Sequence, residues 1–119
     1  MASILIVDDS RTSRNVLRNI LEEAGHKVVG EGVNGDDGFK KCKELKPELI
    51  TLDITMPVLD GIEALQIIKT RYPQTKVIMV TAAGQNSKML EAVKYGADDF
   101  IAKPFEASQI LASIEKVMK

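Results

Sequence analysis

The chain has 119 residues, a length that fits one domain with a core of its own. Its 16 basic and 17 acidic residues give a formal net charge of -1, a balance that argues against a nucleic-acid-binding or membrane-surface protein. A single cysteine excludes an internal disulfide, and the amino terminus has neither a signal peptide nor the ~20 apolar residues of a membrane span, so we expect one cytoplasmic domain over residues 1–119.

Strand-like and helix-like apolar patterns alternate along the chain. Residues 4–7 form a short continuous apolar run, typical of a strand covered on both faces. Apolar residues from Val16 to Ala24 then recur at helical spacing, and Gly25 ends that helix. The same alternation predicts four more strands, at 27–33, 49–52, 77–80 and 99–102. It also predicts four more helices, each marked by apolar residues at helical spacing. These are Phe39, Cys42 and Leu45 in the second helix, Ile62, Leu65 and Ile68 in the third, Met89, Leu90 and Val93 in the fourth, and Ile110, Leu111, Ile114, Val117 and Met118 in the fifth.

Five strand–helix units in this order predict an α/β domain with a parallel sheet and right-handed crossovers. In open sheets of this kind, ligands bind beyond the carboxyl ends of the strands. The residues that follow each strand are therefore the first candidates for a functional site.

Polar residues follow four of the five strands: Asp8 and Asp9 the first, Asp53 the third, Thr81 the fourth, and Lys103 with Pro104 the fifth. Two other acidic pairs have simpler explanations. The pair at 36–37 opens a helix, where the helix dipole favours negative charge, and the pair at 98–99 begins a strand at the opposite pole. We interpret the first set as a functional acidic pocket rather than as helix caps.

Three carboxylates in one pocket repel one another, by about 4 kcal/mol for two unit charges ~4 Å apart at an effective dielectric near 20. A hard divalent cation relieves this repulsion, and a few carboxylates with room for water suit Mg²⁺. His26 and Cys42 form no zinc cluster. We expect His26 to be a solvated turn residue and Cys42 to be a packing residue. A metal-bound carboxylate beside a lysine and a hydroxyl suits a phosphoryl group, which an aspartate can accept covalently.

At these residues the sequence resembles the receiver domain of two-component response regulators. The matching motifs are LIVDDS (5–10), LDITMPVLDG (52–61), VTAAG (80–84) and FIAKPF (100–105), in the family's order and spacing. The resemblance covers the whole chain. It implies a doubly wound (βα)5 fold of the flavodoxin-like, or CheY-like, class: a three-layer α/β sandwich with parallel sheet order 2-1-3-4-5.

The resemblance also implies how the acidic residues act. Asp53 matches the phospho-acceptor. Asp9 matches the acid that binds Mg²⁺ directly, and Asp8 matches the neighbour that acts through a metal-bound water. Thr55, two residues after the acceptor, matches the position that lends a backbone carbonyl to the metal.

The switch residues are implied in the same way. Thr81 matches the hydroxyl that moves onto the phosphoryl group, and Lys103 matches the phosphate-binding lysine, whose bond to Pro104 is expected to be cis. Phe100 matches the aromatic residue that turns inward when the threonine moves. Receivers often have tyrosine there, and without the hydroxyl the ring cannot hydrogen-bond a partner.

The side chains of Thr55 and Ala83 match positions that tune how fast water removes the phosphoryl group. Alanine offers no group to orient that water. We therefore predict a phosphoryl lifetime set mainly by Thr55 and by outside phosphatases, and an altered rate of autodephosphorylation in the Ala83→Glu variant.

Three other functions are open to the same sequence. GEGVNG (30–35) fits the dinucleotide fingerprint, but it follows the second strand and its first two glycines are expected inside that strand. A Mg²⁺-dependent aspartyl phosphatase of the haloacid dehalogenase type would need an acid where this chain has Thr55. A flavodoxin-like electron carrier shares the fold class, but the chain has no tryptophan and no Ser/Thr-rich phosphate loop.

We therefore expect a stand-alone, monomeric phosphorylation switch rather than an enzyme. A histidine kinase donates the phosphoryl group to Asp53, and a face built from the fourth helix, fifth strand and fifth helix changes its affinity for a partner. Because no effector domain follows Lys119, the output is expected to come through binding. The DITMP and TAAGQ wording is similar to single-domain chemotaxis regulators, whose partner is the flagellar motor switch. A phosphorelay intermediate and a receiver of a longer regulator are the alternatives.

Overall fold

The computed structural model describes residues 1–82 and 85–119. Five strands alternate with five helices, in the order β1 (Ser3–Val7), α1 (Arg11–Glu23), β2 (Lys27–Gly32), α2 (Gly35–Leu45), β3 (Leu49–Asp53), α3 (Gly61–Arg71), β4 (Lys76–Thr81), α4 (Asn86–Lys94), β5 (Asp99–Ala102) and α5 (Ala107–Val117). Every predicted element is present. The elements α1, β2 and α5 each end one residue before the position that the apolar pattern indicates.

The strands form one parallel sheet in the order β2-β1-β3-β4-β5, which confirms the predicted doubly wound fold. Val7 pairs with Gly32 on one side and with Leu52 on the other, and Asp53 pairs with Val80. The carboxyl ends of the central strands are therefore level with one another. Side chains that follow β1, β3, β4 and β5 come together at this edge.

Alternate residues of each strand enter two separate apolar layers. Leu5, Ile50 and Met79 point towards the layer that also contains residues of α2, α3 and α4. Ile4 and Ile78 point the other way, into the layer with α1 and α5. Since both faces are covered, the strands read as continuous apolar runs, as the sequence suggested.

The loop between β3 and α3 is held closely against the end of the sheet. Gly61 N donates to Ile54 O at 2.7 Å, and a Cβ added to Gly61 would lie 2.0 Å from the carbonyl oxygen of Asp53. Val58 adopts φ 70°, with Leu59 N donating to Pro57 O across it. This pattern is a γ-turn with positive φ, a strained arrangement for a β-branched residue.

The Asp60–Gly61 pair begins a helix rather than forming a free turn. Asp60 is the N-cap of α3: its side chain accepts from Glu63 N at 2.9 Å, and the Glu63 side chain accepts from Asp60 N in return. Such a reciprocal capping box satisfies two N–H groups that the first helical turn leaves unpaired. The cap places the start of α3 directly beside the end of β3.

Two residues set aside in the sequence have structural roles. The prediction that His26 is a solvated turn residue is wrong, because it is partly buried and its Nδ1 accepts a hydrogen bond from Ala2 N at 3.1 Å. Burial lowers the pKa of His26, as does the nearby amino terminus. Cys42 is buried in the core layer between the sheet and α2, and burial raises the pKa of its thiol to about 11, which fits the expected packing role.

The glycines of the dinucleotide-like motif lie where the sequence indicated. Gly30 and Gly32 are inside β2. A Cβ on Gly32 would lie 3.2 Å from the backbone of Gly38, so this glycine permits close packing of α2 on the strand. In residues 1–82 and 85–119, no helix is long and apolar enough to cross a bilayer.

Candidate functional site

Three carboxylates meet at the carboxyl edge of the sheet. Asp8, Asp9 and Asp53 each place an oxygen within 4.8 Å of the others. Asp8 and Asp53 are 6% and 8% exposed, whereas Asp9 lies at the surface. The pocket is therefore closed on the sheet side and open to solvent on one side, and its donors are all hard oxygens. Such a donor set fits Mg²⁺ rather than zinc.

Asp8 is held by its neighbours in the β1–α1 loop. Its Oδ1 accepts from Ser10 N at 2.8 Å, and its backbone carbonyl accepts from the Arg14 guanidinium at 2.8 Å. Ser10 is also the N-cap of α1 and accepts from Ser13 N. The start of α1 thus orients one oxygen of Asp8 and leaves the other free for the pocket.

Lys103 enters the pocket from the loop after β5. Its Nζ lies 2.8 Å from Asp8 Oδ2 and 3.6 Å from Asp53 Oδ2, and the Ser13 hydroxyl lies 3.5 Å away. The following bond, Lys103–Pro104, is cis. Burial opposes the charged ammonium, but the hydrogen bond to Asp8 and the charge of Asp53 prevail and raise the pKa of Lys103. One cation therefore contacts two of the three carboxylates.

The acidic pocket changes the ionisation of Asp53. Burial is the largest cause, and the negative charge of Asp8 adds to it, while Lys103 opposes both. The result raises the pKa of Asp53 to about 6. Ionised Asp53 is thus under electrostatic stress, which a bound cation would relieve.

Thr81 is buried, and its hydroxyl makes its hydrogen bonds to the segment that follows β4. Its Oγ1 donates towards Ala82 O at 3.0 Å and Gln85 Oε1 at 3.1 Å. Gln85 Oε1 also accepts from Ala82 N at 3.0 Å, and Gln85 Nε2 donates to Thr55 Oγ1. Gln85 therefore connects the end of β4 with the loop that follows Asp53.

Phe100 lies at the surface of β5. It is 39% exposed and, with Met89, Leu90 and Val93 of α4, lines an apolar cleft of about 250 Å³. The aromatic ring is therefore in an outward position, while the Thr81 hydroxyl is bonded to Gln85.

The structure brings together five of the residues singled out in the sequence: Asp8, Asp9, Asp53, Lys103 and, at the rim, Thr55. Thr81 reaches the same edge but contacts Gln85 instead of the acidic pocket. Ala83 lies outside the described residues.

Sequence reasoning missed three residues around the site: Arg14, Ser13 and Gln85. Arg14 and Ser13 follow the LIVDDS motif by one helical turn, a spacing that could have suggested contact with Asp8. Gln85 directly follows VTAAG, but a glutamine before a helix forms no pattern that distinguishes it.

A family model for the response regulator receiver domain matches residues 4–115. The chain belongs to the response regulator receiver domain family. This membership places it among receiver domains rather than in a family of enzymes.

The receiver has relatives that match over nearly its entire length. It is 46% identical to the chemotaxis protein CheY of Listeria monocytogenes over 119 residues, covering 100% of both chains. It is also 46% identical to the protein CcdB of Bacillus subtilis over 118 residues, covering 99% of this chain and 98% of that protein.

A solved structure resembles the receiver closely. The crystal structure of a CheX–CheY–BeF3–Mg²⁺ complex from Borrelia burgdorferi contains a chain that is 31% identical, with a TM-score of 0.94 over 98% of this receiver and 89% of that chain. The fold is therefore shared with a receiver that was captured with beryllofluoride and Mg²⁺.

Proposed function

We propose that this receiver is a phosphorylation-dependent switch of a two-component system, with Asp53 as the phospho-acceptor. The observation that carries the proposal is the convergence of Asp8, Asp9, Asp53 and Lys103 at the carboxyl edge of one sheet. Three carboxylates supply a cation site, and the ammonium supplies a positive charge beside the acceptor. Neither helix capping nor core packing requires this combination.

The reaction is transfer from a phosphohistidine of a histidine kinase. A carboxylate oxygen of Asp53 attacks phosphorus, a new O–P bond forms and the N–P bond breaks, and the bonding electrons stay on the donor imidazole. The product is an acyl phosphate on Asp53. Because the pKa of Asp53 is raised to about 6, the carboxylate is largely ionised near pH 7.5 and able to attack.

Each remaining residue has a defined task in this scheme. Asp8, Asp9, Asp53 and the backbone carbonyl of Thr55 would hold Mg²⁺, which would neutralise negative charge on the transferring phosphoryl oxygens. Lys103 binds one of those oxygens through its ammonium group.

Phosphorylation is proposed to shift a population between two states. The new charge on Asp53 favours a position of Thr81 in which its hydroxyl donates to a phosphoryl oxygen, and the ring of Phe100 turns inward behind it. In the present structure the Thr81 hydroxyl is bonded to Gln85 and the Phe100 ring is partly exposed. The equilibrium moves only as far as the phosphoryl group stabilises one state over the other.

The output surface is formed by α4, β5 and α5. Leu90 is 73% exposed, Val93 54% and Phe100 39%, and these side chains border the apolar cleft. Inward rotation of Phe100 would reshape this cleft and so change its affinity for a partner.

We propose that the pathway is chemotaxis, with a kinase of the chemotaxis type and the flagellar motor switch protein as partners, because the full-length relative from Listeria monocytogenes is a chemotaxis protein.

The second candidate is a Mg²⁺-dependent aspartyl phosphatase, which the acidic pocket alone would also fit. Thr55 argues against it, since a threonine cannot protonate a leaving group as an aspartate does two residues after the nucleophile. Steady release of phosphate from an added phosphate ester would favour the phosphatase. A single stoichiometric phosphorylation would favour the switch.

The lifetime of the phosphoryl group is proposed to be set mainly by Thr55 and by a separate phosphatase, because Ala83 offers no group to orient the attacking water. The Thr55 hydroxyl accepts from Gln85 and lies at the rim of the pocket. Comparing the decay of phosphorylated wild type with that of Ala83→Glu tests the role of position 83.

The decisive experiment is phosphorylation by acetyl phosphate with Mg²⁺, followed by intact-protein mass spectrometry. Wild type is expected to gain one phosphoryl mass, and Asp53→Asn none. Asp36→Asn is the matched control, because Asp36 lies in the first turn of α2 outside the pocket, and it is expected to behave as wild type. A persistent mass increase in Asp53→Asn would place the acceptor elsewhere.

A further inference from the structure

Gln85 forms a bridge between two segments of the proposed switch. Its Oε1 accepts from Thr81 Oγ1 at 3.1 Å and from Ala82 N at 3.0 Å, both at the end of β4. Its Nε2 donates to Thr55 Oγ1 in the β3–α3 loop. One carboxamide therefore contacts three groups, and the β4 end is linked to the loop beyond Asp53.

The orientation of this carboxamide follows from its partners. Ala82 N–H can only donate, so the atom facing it is the carbonyl oxygen of Gln85. The amide nitrogen then faces Thr55, whose hydroxyl oxygen accepts. With this orientation fixed, the oxygen that faces Thr81 can only accept, and the Thr81 hydroxyl is drawn towards Gln85.

The position of Gln85 in the fold shows that its side chain is not used for helix capping. Gln85 is the N-cap residue of α4, yet its side chain makes no capping hydrogen bond. Serine, threonine, aspartate and asparagine are preferred at this position because they can satisfy the first N–H groups of the helix. Here a longer side chain extends towards the site instead.

We propose that Gln85 is a positioning residue that holds the Thr81 hydroxyl and Thr55 in the resting arrangement of the receiver. This inference rests on the proposed function, because it concerns the movement of Thr81 onto a phosphorylated Asp53. For that movement the Thr81 hydroxyl must leave both of its acceptors, Ala82 O and Gln85 Oε1, and the second of these belongs to the bridge. The strength of the bridge thus sets how much of the population has Thr81 free to move.

The test uses beryllofluoride with saturating Mg²⁺ as the probe of the phosphorylated state. Because apparent affinity is reduced by the fraction of molecules in the competent state, weakening the resting state should tighten binding. Gln85→Ala is expected to bind beryllofluoride about five- to tenfold more tightly than wild type by isothermal titration calorimetry. Gln66→Ala, an exposed glutamine on α3, is the matched control and is expected to be unchanged.

Two further measurements separate positioning from a general structural role. Affinity for Mg²⁺ alone is expected to be unchanged in Gln85→Ala. Within the part of the chain that the structure describes, the Gln85 side chain bonds to Thr81, Ala82 and Thr55 and to none of the three carboxylates. A merely structural loss would lower the unfolding temperature without tightening beryllofluoride binding.

The Thr55 end of the bridge is tested by Thr55→Val, which removes the acceptor of Gln85 Nε2 and leaves Gln85 in place. This variant is expected to tighten beryllofluoride binding by about two- to threefold. In the double variant with Gln85→Ala, the two effects should not add, because both changes remove the same bridge.

The outcomes distinguish the two proposals. If wild type fails to bind beryllofluoride in the presence of Mg²⁺, the proposed function is overturned and the bridge with it. If wild type binds beryllofluoride, and Gln85→Ala and Thr55→Val bind it with the same affinity as wild type, the bridge alone is overturned. Tighter beryllofluoride binding in both variants, with the Mg²⁺ affinity of Gln85→Ala unchanged, supports the bridge.

Discussion

Lys103 lies closer to Asp8 than to Asp53. Its Nζ is 2.8 Å from Asp8 Oδ2 and 3.6 Å from Asp53 Oδ2. The ammonium therefore neutralises part of the charge that a divalent cation would otherwise meet, and it contacts a carboxylate assigned to the metal site. A cation bound at Asp8 would compete with Lys103 for the same oxygen, while both charges would favour an incoming phosphoryl group.

The first prediction follows from this competition. Lys103→Met should bind Mg²⁺ about tenfold more tightly than wild type, because an opposing charge near the site is removed and solvent at the open edge screens part of the effect. The same variant should accept a phosphoryl group from acetyl phosphate at least about tenfold more slowly, since the ammonium proposed to bind the phosphoryl oxygen is lost. Calorimetric titration and intact mass measure the two quantities.

Lys88→Met provides the comparison, because Lys88 is a half-exposed lysine of α4 paired with Glu91. It should match wild type in both assays. Weaker Mg²⁺ binding by Lys103→Met would show that the lysine assists the metal site instead of competing with it.

The second prediction concerns the pH dependence of stability without Mg²⁺. Asp53 has a pKa raised from 3.8 to about 6 in the folded state, so the folded protein retains a proton that the unfolded chain has released. The stabilisation from the neutral form is complete below about pH 4 and is lost as pH rises through about 6. At pH 8, ionised Asp53 remains in the fold at a cost of up to about 3 kcal/mol, reduced by solvent screening.

Asp53→Asn removes that cost, because the amide stays neutral. We expect the variant to exceed wild type in free energy of unfolding by about 1–2 kcal/mol at pH 8, with the difference disappearing towards pH 4. Urea unfolding across this range, with Asp36→Asn as comparison, gives the measurement. A difference that is the same at both ends of the range would show that Asp53 is not under electrostatic stress.

The third prediction concerns Val58, which has φ 70° while 83% exposed. A left-handed conformation costs a β-branched residue about 1–2 kcal/mol, and asparagine tolerates it far better. Because almost no apolar contact is lost, Val58→Asn should raise the free energy of unfolding by about 0.5–1 kcal/mol. Val16→Asn, at a half-exposed valine on α1, should show no such gain in the same urea experiment. Equal effects at the two positions would count against strain at Val58.

The fourth prediction concerns Gly61 at the start of α3. An added Cβ would lie 2.0 Å from Asp53 O and 2.7 Å from Ile54 Cα, and neither backbone atom can move without displacing the end of β3. Gly61→Ala should lower the free energy of unfolding by about 3 kcal/mol and also slow phosphorylation by acetyl phosphate.

Gly30→Ala is the contrasting variant. Its added methyl would meet Leu45 Cδ1 at 2.6 Å, the end of a flexible side chain that can move aside. A loss of less than about 1 kcal/mol is expected there. Similar losses at the two glycines would mean that the β3–α3 loop yields more easily than its close packing indicates.

Much of this receiver can be predicted from its sequence, because its signals are local. A strand covered on both faces must be apolar throughout, so the apolar runs at 4–7 and 77–80 predict buried strands. The acids and the lysine follow strands directly, and parallel strands bring their carboxyl ends to one edge. The sequence therefore predicts that Asp8, Asp53 and Lys103 lie close together.

Only the tertiary structure decided which of these groups contact one another. Lys103 Nζ lies 2.8 Å from Asp8 Oδ2 but 3.6 Å from Asp53 Oδ2, and Thr81 Oγ1 donates to Gln85. No periodicity in the chain encodes differences of this size. His26 was misjudged for the same reason, since its partner, Ala2 N, is 24 residues away in the chain and comes beside it only because β1 pairs with β2. Sequence alone determined the layers and the chemistry at the edge of the sheet, whereas the three-dimensional packing determined the resting partners of the switch.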